Sequence, residues 1–203
     1  MHESIREELK KFYKGYRKLL DSCKIAELGA LNFNGSPRDY LPPLTGFDIV
    51  EGRDVDIKIE PGVIPDEHID KYDVVVSSSS FHYCPDPRLY KKQILDLLKA
   101  DGLFWLSMCS HTCKRSHTTS NNKQGFTDCF RMTRKELRRF LEPEIKKIAC
   151  YYVGDGHHQD IIYIGKKTNE KFDGIQKNPV QLRDTEDLLR WQEKLFLSHT
   201  LKA

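Results

Sequence analysis

The sequence lacks any apolar run of the ~18–20 residues that a membrane-spanning helix needs, and it lacks a recognisable secretory signal. We therefore expect an intracellular, cytoplasmic protein with no membrane partner. It also lacks a strong charge excess, because 33 Lys and Arg against 30 Asp and Glu leave a net charge of +3. Nucleic-acid-binding domains are usually far more basic. The 203 residues, 38% of them hydrophobic, suffice for one ordinary core.

Disulfides are not expected either, since six cysteines without a secretory signal indicate reduced thiols. One cluster of metal-binding residue types stands within nine positions: Cys109, His111, Cys113 and His117. Closed structural zinc sites usually draw on two separated ligand pairs, whereas this cluster directly follows one apolar strand. The spacing therefore predicts no metal, and a metal site remains the alternative that the residue types allow.

The most informative stretch is residues 25–35, IAELGALNFNG. A short apolar run ends in Glu27, and Gly29 then opens a loop of small and amide residues. This order is typical of a buried strand entering a tight turn where backbone approaches a ligand. About twenty residues later, a second apolar stretch places Asp48 at the tip of the next strand. Neighbouring strand tips of this kind suit a ribose diol.

Strands alternate with helices along the chain. Apolar spacing predicts a first helix over residues 5–21, which a capping box of Ser4 and Glu7 begins. It also predicts a helix from Asp86 to Lys99 and a third helix that begins at Thr133. The predicted strands are residues 24–28, 45–49, 55–57, 72–77, 103–108, 146–153 and 160–165. The pattern predicts an open α/β sheet with a reversed pairing at one edge.

Two further segments carry predictions. The polar stretch of residues 111–127 is too long for a simple connection and is a candidate lid. We expect residues 1–167 to form the main domain, including the N-terminal helix. Residues 168–203 would then be an extension whose helix, at 184–197, packs on the same domain.

From about residue 24 to 166, the chain resembles the class I S-adenosylmethionine-dependent methyltransferases. Residues 25–35 look like the acidic-x-Gly loop that lies under the methionine part of the cofactor. The resemblance implies a Rossmann-like fold with a mostly parallel, seven-stranded open sheet, a terminal antiparallel hairpin and helices on both faces. It also implies S-adenosylmethionine as cofactor, S-adenosylhomocysteine as product and no metal. The implied cofactor contacts are Glu27, Gly29, Ala30, Asn32, Asp48, Ile49, Glu60, Ser77 and Ser78.

The loop departs from the family pattern, because Leu31 and Phe33 replace its later glycines. Close backbone approach must then use Ala30 and Asn32. A nicotinamide dinucleotide fold is the competing interpretation, but it requires three glycines around the pyrophosphate. A third interpretation is an α/β protein whose acidic strand tips are merely solvated.

Histidines stand where parallel strands are expected to end. His82 follows the fourth strand, His111 the fifth, and His157 and His158 lie in the hairpin loop. Methyl transfer to a hydroxyl needs a proton acceptor, and the histidine pKa suits this role near neutral pH. Asp128 or Asp160 could orient one imidazole. The catalytic candidates are His82, His111, Asp128 and His158.

The absence of several motifs excludes some classes of methyl acceptor. Residues 77–80, at the end of the fourth predicted strand, are four serines. At this position, adenine amino-methyltransferases resemble one another in an Asn/Asp-Pro-Pro-aromatic signature, and cap ribose methyltransferases carry an Asp. Magnesium-dependent catechol enzymes need carboxylates there as well. What remains is a small or uncharged hydroxyl acceptor.

That profile is similar to small sugar O-methyltransferases, including those of large algal viruses. It implies a small-molecule or glycan acceptor such as rhamnose, and the host cytoplasm if the protein is viral. The alternatives are a methyltransferase acting on RNA, protein or a small metabolite, and a non-catalytic cofactor-binding module. The sequence leaves the oligomeric state open.

Overall fold

A computed structural model describes residues 1–113, 127–142, 144–155 and 158–168 of the chain. Its helices and strands, in chain order, are α1 (Glu3–Leu20), β1 (Ile25–Leu28), β2 (Leu44–Asp48), β3 (Ile57–Lys58), β4 (Tyr72–Ser78), α2 (Pro87–Leu97), β5 (Leu98–Cys109), α3 (Arg134–Leu141), β6 (Ile145–Val153) and β7 (Asp160–Lys167). Short 3-10 turns also occur at Pro37–Asp39, Asp66–His68 and Phe81–Tyr83. The strands predicted from the sequence are all present, with ends that differ by up to five residues.

The strands form one seven-stranded sheet in the order β3-β2-β1-β4-β5-β7-β6. Strands β1 to β5 are mutually parallel, whereas β7 runs antiparallel to both β5 and β6. The predicted open sheet with a terminal antiparallel hairpin is therefore confirmed. The chain moves outward from β1 to β3 and then crosses back, so that β4 lies on the other side of β1. At such a switch point, diverging connections leave a crevice at the carboxyl ends of the strands.

Hydrophobic side chains cover both faces of this sheet. Successive strand residues point to opposite faces, so Trp105 packs towards Phe12 of α1 while Phe104 packs with Ile94 of α2 and Leu137 of α3. The Phe12 and Trp105 ring centroids are 6.2 Å apart. The prediction of helices on both faces is thus confirmed, with α1 on one side and α2 and α3 on the other.

Local capping signals predicted two of the three helix starts. The Asp86 side chain accepts a hydrogen bond from the Arg88 amide (2.9 Å) at the start of α2. Thr133 and Glu136 form a reciprocal capping box on α3. Such side-chain oxygens satisfy amides that have no partner within the helix.

The capping box predicted for α1 is wrong. The helix begins at Glu3, so Ser4 already lies inside the first turn. The N-cap position is His2, whose side chain makes no capping hydrogen bond. Packing of the apolar face, which includes the fully buried Ile5 and Leu9, accounts for the position of this helix better than its cap does.

Several predictions fall outside the described residues. These are most of the candidate lid (residues 114–126), His117, His157 and the extension beyond residue 168 with its predicted helix at 184–197. Within the described ranges, no helix has both the length and the apolar character needed to cross a membrane.

Candidate active site

The tips of β1 and β2 lie side by side, as the sequence pattern predicts. Gly29 and Ala30 both donate backbone hydrogen bonds to the Phe47 carbonyl, at 2.8 and 3.1 Å. The next amide, that of Leu31, donates to Asp48 Oδ2 at 3.0 Å. The loop after β1 is therefore fastened to the end of β2 through consecutive amides.

Asp48 sits at this junction with both carboxylate oxygens engaged. Oδ2 accepts from Leu31, and Oδ1 accepts from the Val50 amide at 3.1 Å. Burial raises the pKa of Asp48 above its ordinary value, and these backbone amides act in the opposite direction. An ionised carboxylate has about four acceptor positions, so about two remain for a ligand such as a vicinal diol.

Glu27 is the most perturbed acid of the site. Its side chain is buried in β1 with 2% of the residue exposed, and within the described part of the chain Oε2 has no hydrogen-bond partner. Burial raises the pKa of Glu27 to about 8; the Arg38 guanidinium opposes this shift. Three nearby carboxylates raise the pKa further, namely Asp54, Asp48 and Asp56. A cation beside Glu27 would relieve this accumulation of negative charge.

Arg38 reaches the site from the 3-10 turn at Pro37–Asp39. Its Nη2 donates to the Asp54 carbonyl at 2.9 Å and also pairs with the Asp56 carboxylate. Gly46 makes this approach possible, because a Cβ there would lie 2.2 Å from the Asp54 carbonyl oxygen and 2.9 Å from Arg38 Nη2. The close packing of this arginine onto β2 therefore depends on glycine.

Asn32 links the loop after β1 to the loop after β2. Its amide donates to the Arg53 carbonyl (3.1 Å), its Nδ2 donates to Asp54 Oδ2 (2.6 Å), and its Oδ1 accepts from Gly35 (2.9 Å). The backbone amides of residues 29–32 are thus all bonded within the protein. They form no cradle for a phosphate group, which would require free amide donors.

Three hydroxyl groups, from residues at the end of β4 and from α2, support the loop after β1. Tyr90 and Ser80 both donate to the Leu28 carbonyl, at 2.8 and 3.1 Å, and Ser77 Oγ lies 2.8 Å from the Tyr90 hydroxyl. Gly29 has a φ of +80°, and a Cβ there would lie 2.2 Å from Ser80 Oγ. The buried Ser77 hydroxyl therefore belongs to the support of the Gly29 turn.

The end of β4 is conformationally strained. Ser79 has a φ of +55°, a left-handed conformation that is costly for a residue with a Cβ. Its amide donates to the Ser107 carbonyl (3.0 Å) and Ser107 Oγ (3.1 Å), which hold it in place. The neighbouring Ser78 Oγ is buried without a hydrogen-bond partner among the described residues. Backbone strain of this kind concentrates at ligand-binding positions.

Ile49 and Glu60 lie on the outer side of Asp48. Ile49 is half-buried against the core. The Ile59 amide donates to the Asp48 carbonyl at 2.9 Å, which brings the exposed Glu60 to the same edge. The Glu60 carbonyl accepts from Gln93 Nε2 at 2.9 Å. This edge therefore offers an apolar side chain next to polar groups, a combination that suits an adenine ring.

The catalytic candidates His82 and Asp128 are carried by adjacent segments. His82 lies in the 3-10 turn after β4 with 1% of its surface exposed, and its carbonyl accepts from the Cys129 amide at 2.9 Å. Asp128 is buried and forms a two-pronged ion pair with Arg131. The sequence did not predict the pairing of Asp128 with Arg131.

The other two candidate histidines lie farther along the sheet edge and are exposed. The His111 amide donates to the Met132 carbonyl at 3.2 Å. The His158 ring meets the His2 ring edge-on, with centroids 5.6 Å apart. Asp160 Oδ2 lies 3.2 Å from His2 Nδ1. Asp160 does contact a histidine, therefore, but one from the start of the chain.

Sequence reasoning missed Arg38, Tyr90, Arg131 and His2. Tyr90 carried a usable signal, because its spacing from Ile94 places it on the buried face of α2. The other three carried none, since their partners are distant in sequence or lie in irregular segments.

No family model matches this sequence, and neither does any curated protein. Solved structures do match. The chain is similar to 1,6-didemethyltoxoflavin-N1-methyltransferase of Burkholderia thailandensis, determined with 1,6-didemethyltoxoflavin and S-adenosylhomocysteine bound. The TM-score is 0.61, with 14% identity over 80% of this chain and 77% of that one. It is also similar to S-adenosylmethionine-dependent methyltransferases from Methanosarcina mazei (TM-score 0.58, 13% identity, 77% and 98% coverage) and Aquifex aeolicus (0.54, 14%, 80% and 98%).

At these identities, the similarity establishes the fold. The chain has the Rossmann-like fold of the S-adenosylmethionine-dependent methyltransferases, with the sheet order and antiparallel terminal strands described above.

Proposed function

We propose that this chain is an S-adenosylmethionine-dependent methyltransferase whose cofactor binds across the tips of β1 and β2. One observation carries the proposal: the amides of residues 29–32 are all bonded internally, while Glu27 and three aspartates surround the same tips. A dinucleotide pyrophosphate would find no free donors among these amides and would be repelled by the three aspartates. S-adenosylmethionine, a sulfonium with an α-amino group, is a cation and suits this negative site.

The residues at the tips fit the parts of this cofactor. Glu27 Oε2, buried and without a partner among the described residues, is an acceptor for a cationic group of the methionine part. Asp48 keeps acceptor capacity for the ribose diol after binding Leu31 and Val50. Ile49 and Glu60 would contact the adenine. Bound cofactor supplies a methyl group on a positively charged sulfur.

We further propose that the acceptor is a hydroxyl of a sugar, such as rhamnose alone or in a glycan. Ser77 and Ser78 occupy the end of β4, and Asp128 is paired with Arg131, so the described residues offer no pair of open carboxylates for magnesium-assisted chemistry there. The net charge of +3 favours a small acceptor over a phosphate backbone. The resemblance to small sugar O-methyltransferases supports the choice of a sugar.

His82 is the proposed base. It follows β4, which directly neighbours β1 in the sheet, whereas His111 and His158 lie beside β5 and β7. The His82 imidazole would accept the proton of the acceptor hydroxyl as its oxygen takes the methyl group, and S-adenosylhomocysteine would leave with a neutral sulfur. Alignment of oxygen, carbon and sulfur supplies much of the rate enhancement. Such an enzyme would act in the cytoplasm.

Two measurements test this function in order. Saturating S-adenosylhomocysteine should raise the melting temperature of the full chain. If it does not, the methyltransferase proposal fails. A labelled-methyl assay against deoxyhexoses, RNA and protein then tests the acceptor. Label on a sugar supports the full proposal. Label on RNA or protein, and on no sugar, overturns the sugar assignment but leaves the methyltransferase assignment intact.

A further inference from the structure

A second group of chemically reactive side chains lies where β5 meets β7. Cys109 ends β5 and is directly opposite Asp160, the first residue of β7. A turn closed by a hydrogen bond from the Cys113 amide to the Ser110 carbonyl (3.1 Å) brings Cys113 back to this point. One ligand atom from each of Cys109, Cys113 and Asp160 lies within 4.8 Å of the other two.

Asp160 is an unusual member of the group. The residue has no exposed surface, and its Oδ1 has no hydrogen-bond partner within the described ranges. Its other oxygen, Oδ2, lies 3.2 Å from His2 Nδ1. A buried carboxylate oxygen without a partner is costly, and a bound cation would offset that cost. A cation bound by the Asp160 carboxylate and the two neighbouring sulfurs would remove that cost.

The turn that carries Cys113 is held firmly. The Ser110 amide donates to the Gln159 carbonyl at 3.0 Å, and the Thr112 hydroxyl donates to Gln159 Oε1 at 3.2 Å. The Cys113 thiol donates to the Gln159 carbonyl at 2.6 Å. These contacts fix Cys113 beside the residue that precedes Asp160, so the three ligands are brought together before any metal binds.

We propose that Cys109, Cys113 and Asp160 bind one zinc ion. In a tetrahedral zinc site, two sulfurs lie about 3.8 Å apart and a sulfur and an oxygen about 3.5 Å apart, so the group needs an adjustment of roughly 1 Å. Two thiolates select zinc over magnesium or calcium. Both thiols release their protons to solvent on binding, and Cys113 gives up its bond to Gln159. The His2 imidazole is not among the three grouped ligands; its contact with Asp160 Oδ2 at 3.2 Å would orient the carboxylate.

This site differs from the group of metal-binding residue types seen in the sequence between residues 109 and 117. His111 is exposed and is not part of the group, and His117 lies outside the described residues. The third ligand comes instead from another strand, which satisfies the expectation that structural zinc sites draw on separated segments. The zinc would tie the end of β5 and the turn after it to the start of β7. It plays no part in the proposed methyl transfer.

Zinc titration of the full chain tests the site. Reduced protein freed of metal by a chelator is titrated with zinc chloride against a chromophoric zinc chelator. We expect one equivalent of tight binding and a higher melting temperature. Cys109→Ser, Cys113→Ser and Asp160→Asn should each weaken binding at least roughly 100-fold, and His2→Ala roughly 10- to 100-fold. The matched control Cys150→Ser, at a half-buried cysteine of β6, should bind like the unaltered protein.

Two additional measurements keep the result decisive even if a cysteine variant does not fold. Cobalt added to the unaltered chain in place of zinc should give a thiolate-to-metal charge-transfer band. In the unaltered chain, zinc should protect Cys109 and Cys113, but not Cys150, from alkylation as read by mass spectrometry. Absence of stoichiometric binding, or binding without protection of these two thiols, would overturn the proposal.

Discussion

The Leu31 amide donates a hydrogen bond of 3.0 Å to Asp48 Oδ2, which ties the loop after β1 to the tip of β2. In a phosphate-binding loop, an amide at such a position would face the ligand instead. The Leu31 side chain lies over Gly52, where a Cβ would come within 2.3 Å of Leu31 Cδ1. The amides of residues 29–32 therefore fasten the two strand tips together and are already bonded within the protein.

Asp48 should matter to the ligand and to the loop. Asp48→Ala is expected to weaken S-adenosylhomocysteine binding by about 1–3 kcal/mol, because charge-assisted hydrogen bonds to the diol are lost. It should also lower the melting temperature of the unliganded chain, since the Leu31 and Val50 amides lose their acceptor. Isothermal titration and thermal melting separate the two effects. Asp66→Ala, at an exposed 3-10 turn, is the matched control; an unchanged affinity for Asp48→Ala would refute the ribose assignment.

Glu27 should make stability depend on pH. Its pKa rises from 4.5 to about 8 on folding, so the native state holds a proton that the unfolded chain has already lost between these values. The stabilisation is fully present below pH 4.5 and is lost as the pH rises through 8. Glu27→Gln removes this loss. Between pH 5 and pH 8, the free energy of unfolding of the variant should therefore rise by roughly 3 kcal/mol relative to that of the unaltered chain.

Urea unfolding at both pH values measures this difference. Exposed Glu67→Gln is the control and should show no such gain. Saturating S-adenosylmethionine should reduce the pH dependence of the unaltered chain, because a cation stabilises the ionised Glu27. Equal pH profiles for Glu27→Gln and the unaltered chain would show that Glu27 is not buried as described.

Gly29 should tolerate no side chain. Gly29→Ala puts an alanine in a left-handed backbone conformation and places its Cβ 2.2 Å from Ser80 Oγ. We therefore expect the free energy of unfolding to fall by roughly 2 kcal/mol or more. Gly15→Ala, in α1 with no atom within 4 Å of the added Cβ, should instead stabilise by roughly 0.5–1 kcal/mol. Denaturant midpoints of the two variants should move in opposite directions. A shift in the same direction would contradict the described turn.

His82 should be the histidine on which turnover depends. His82→Ala is expected to lower kcat by roughly 10²–10⁴ while S-adenosylhomocysteine still raises the melting temperature normally. His82→Asn, closer in size, guards against a packing defect at this buried position. His111→Ala and His158→Ala are compared in the same assay, over a range of pH, with the acceptor found in the panel. Full turnover by His82→Ala would transfer the role to another residue.

The sequence by itself determined most of the fold. Alternating apolar runs and caps such as Thr133 specify strands and helices locally, because hydrogen bonding and burial patterns repeat at fixed spacing. It also identified the neighbouring tips that carry Gly29 and Asp48. It misplaced the start of α1, since the packing of Ile5 and Leu9 outweighs a local cap.

Only the tertiary structure decided the chemistry around those tips. Burial raises the pKa of Glu27, and the side chains that modify this shift, Arg38 and three aspartates, come from separate segments. Likewise, Asp160 meets Cys109 through the pairing of β5 with β7. Local sequence fixes backbone conformation over a few residues, whereas electrostatic fields and metal-ligand geometry depend on which distant side chains the sheet brings within a few ångströms of one another.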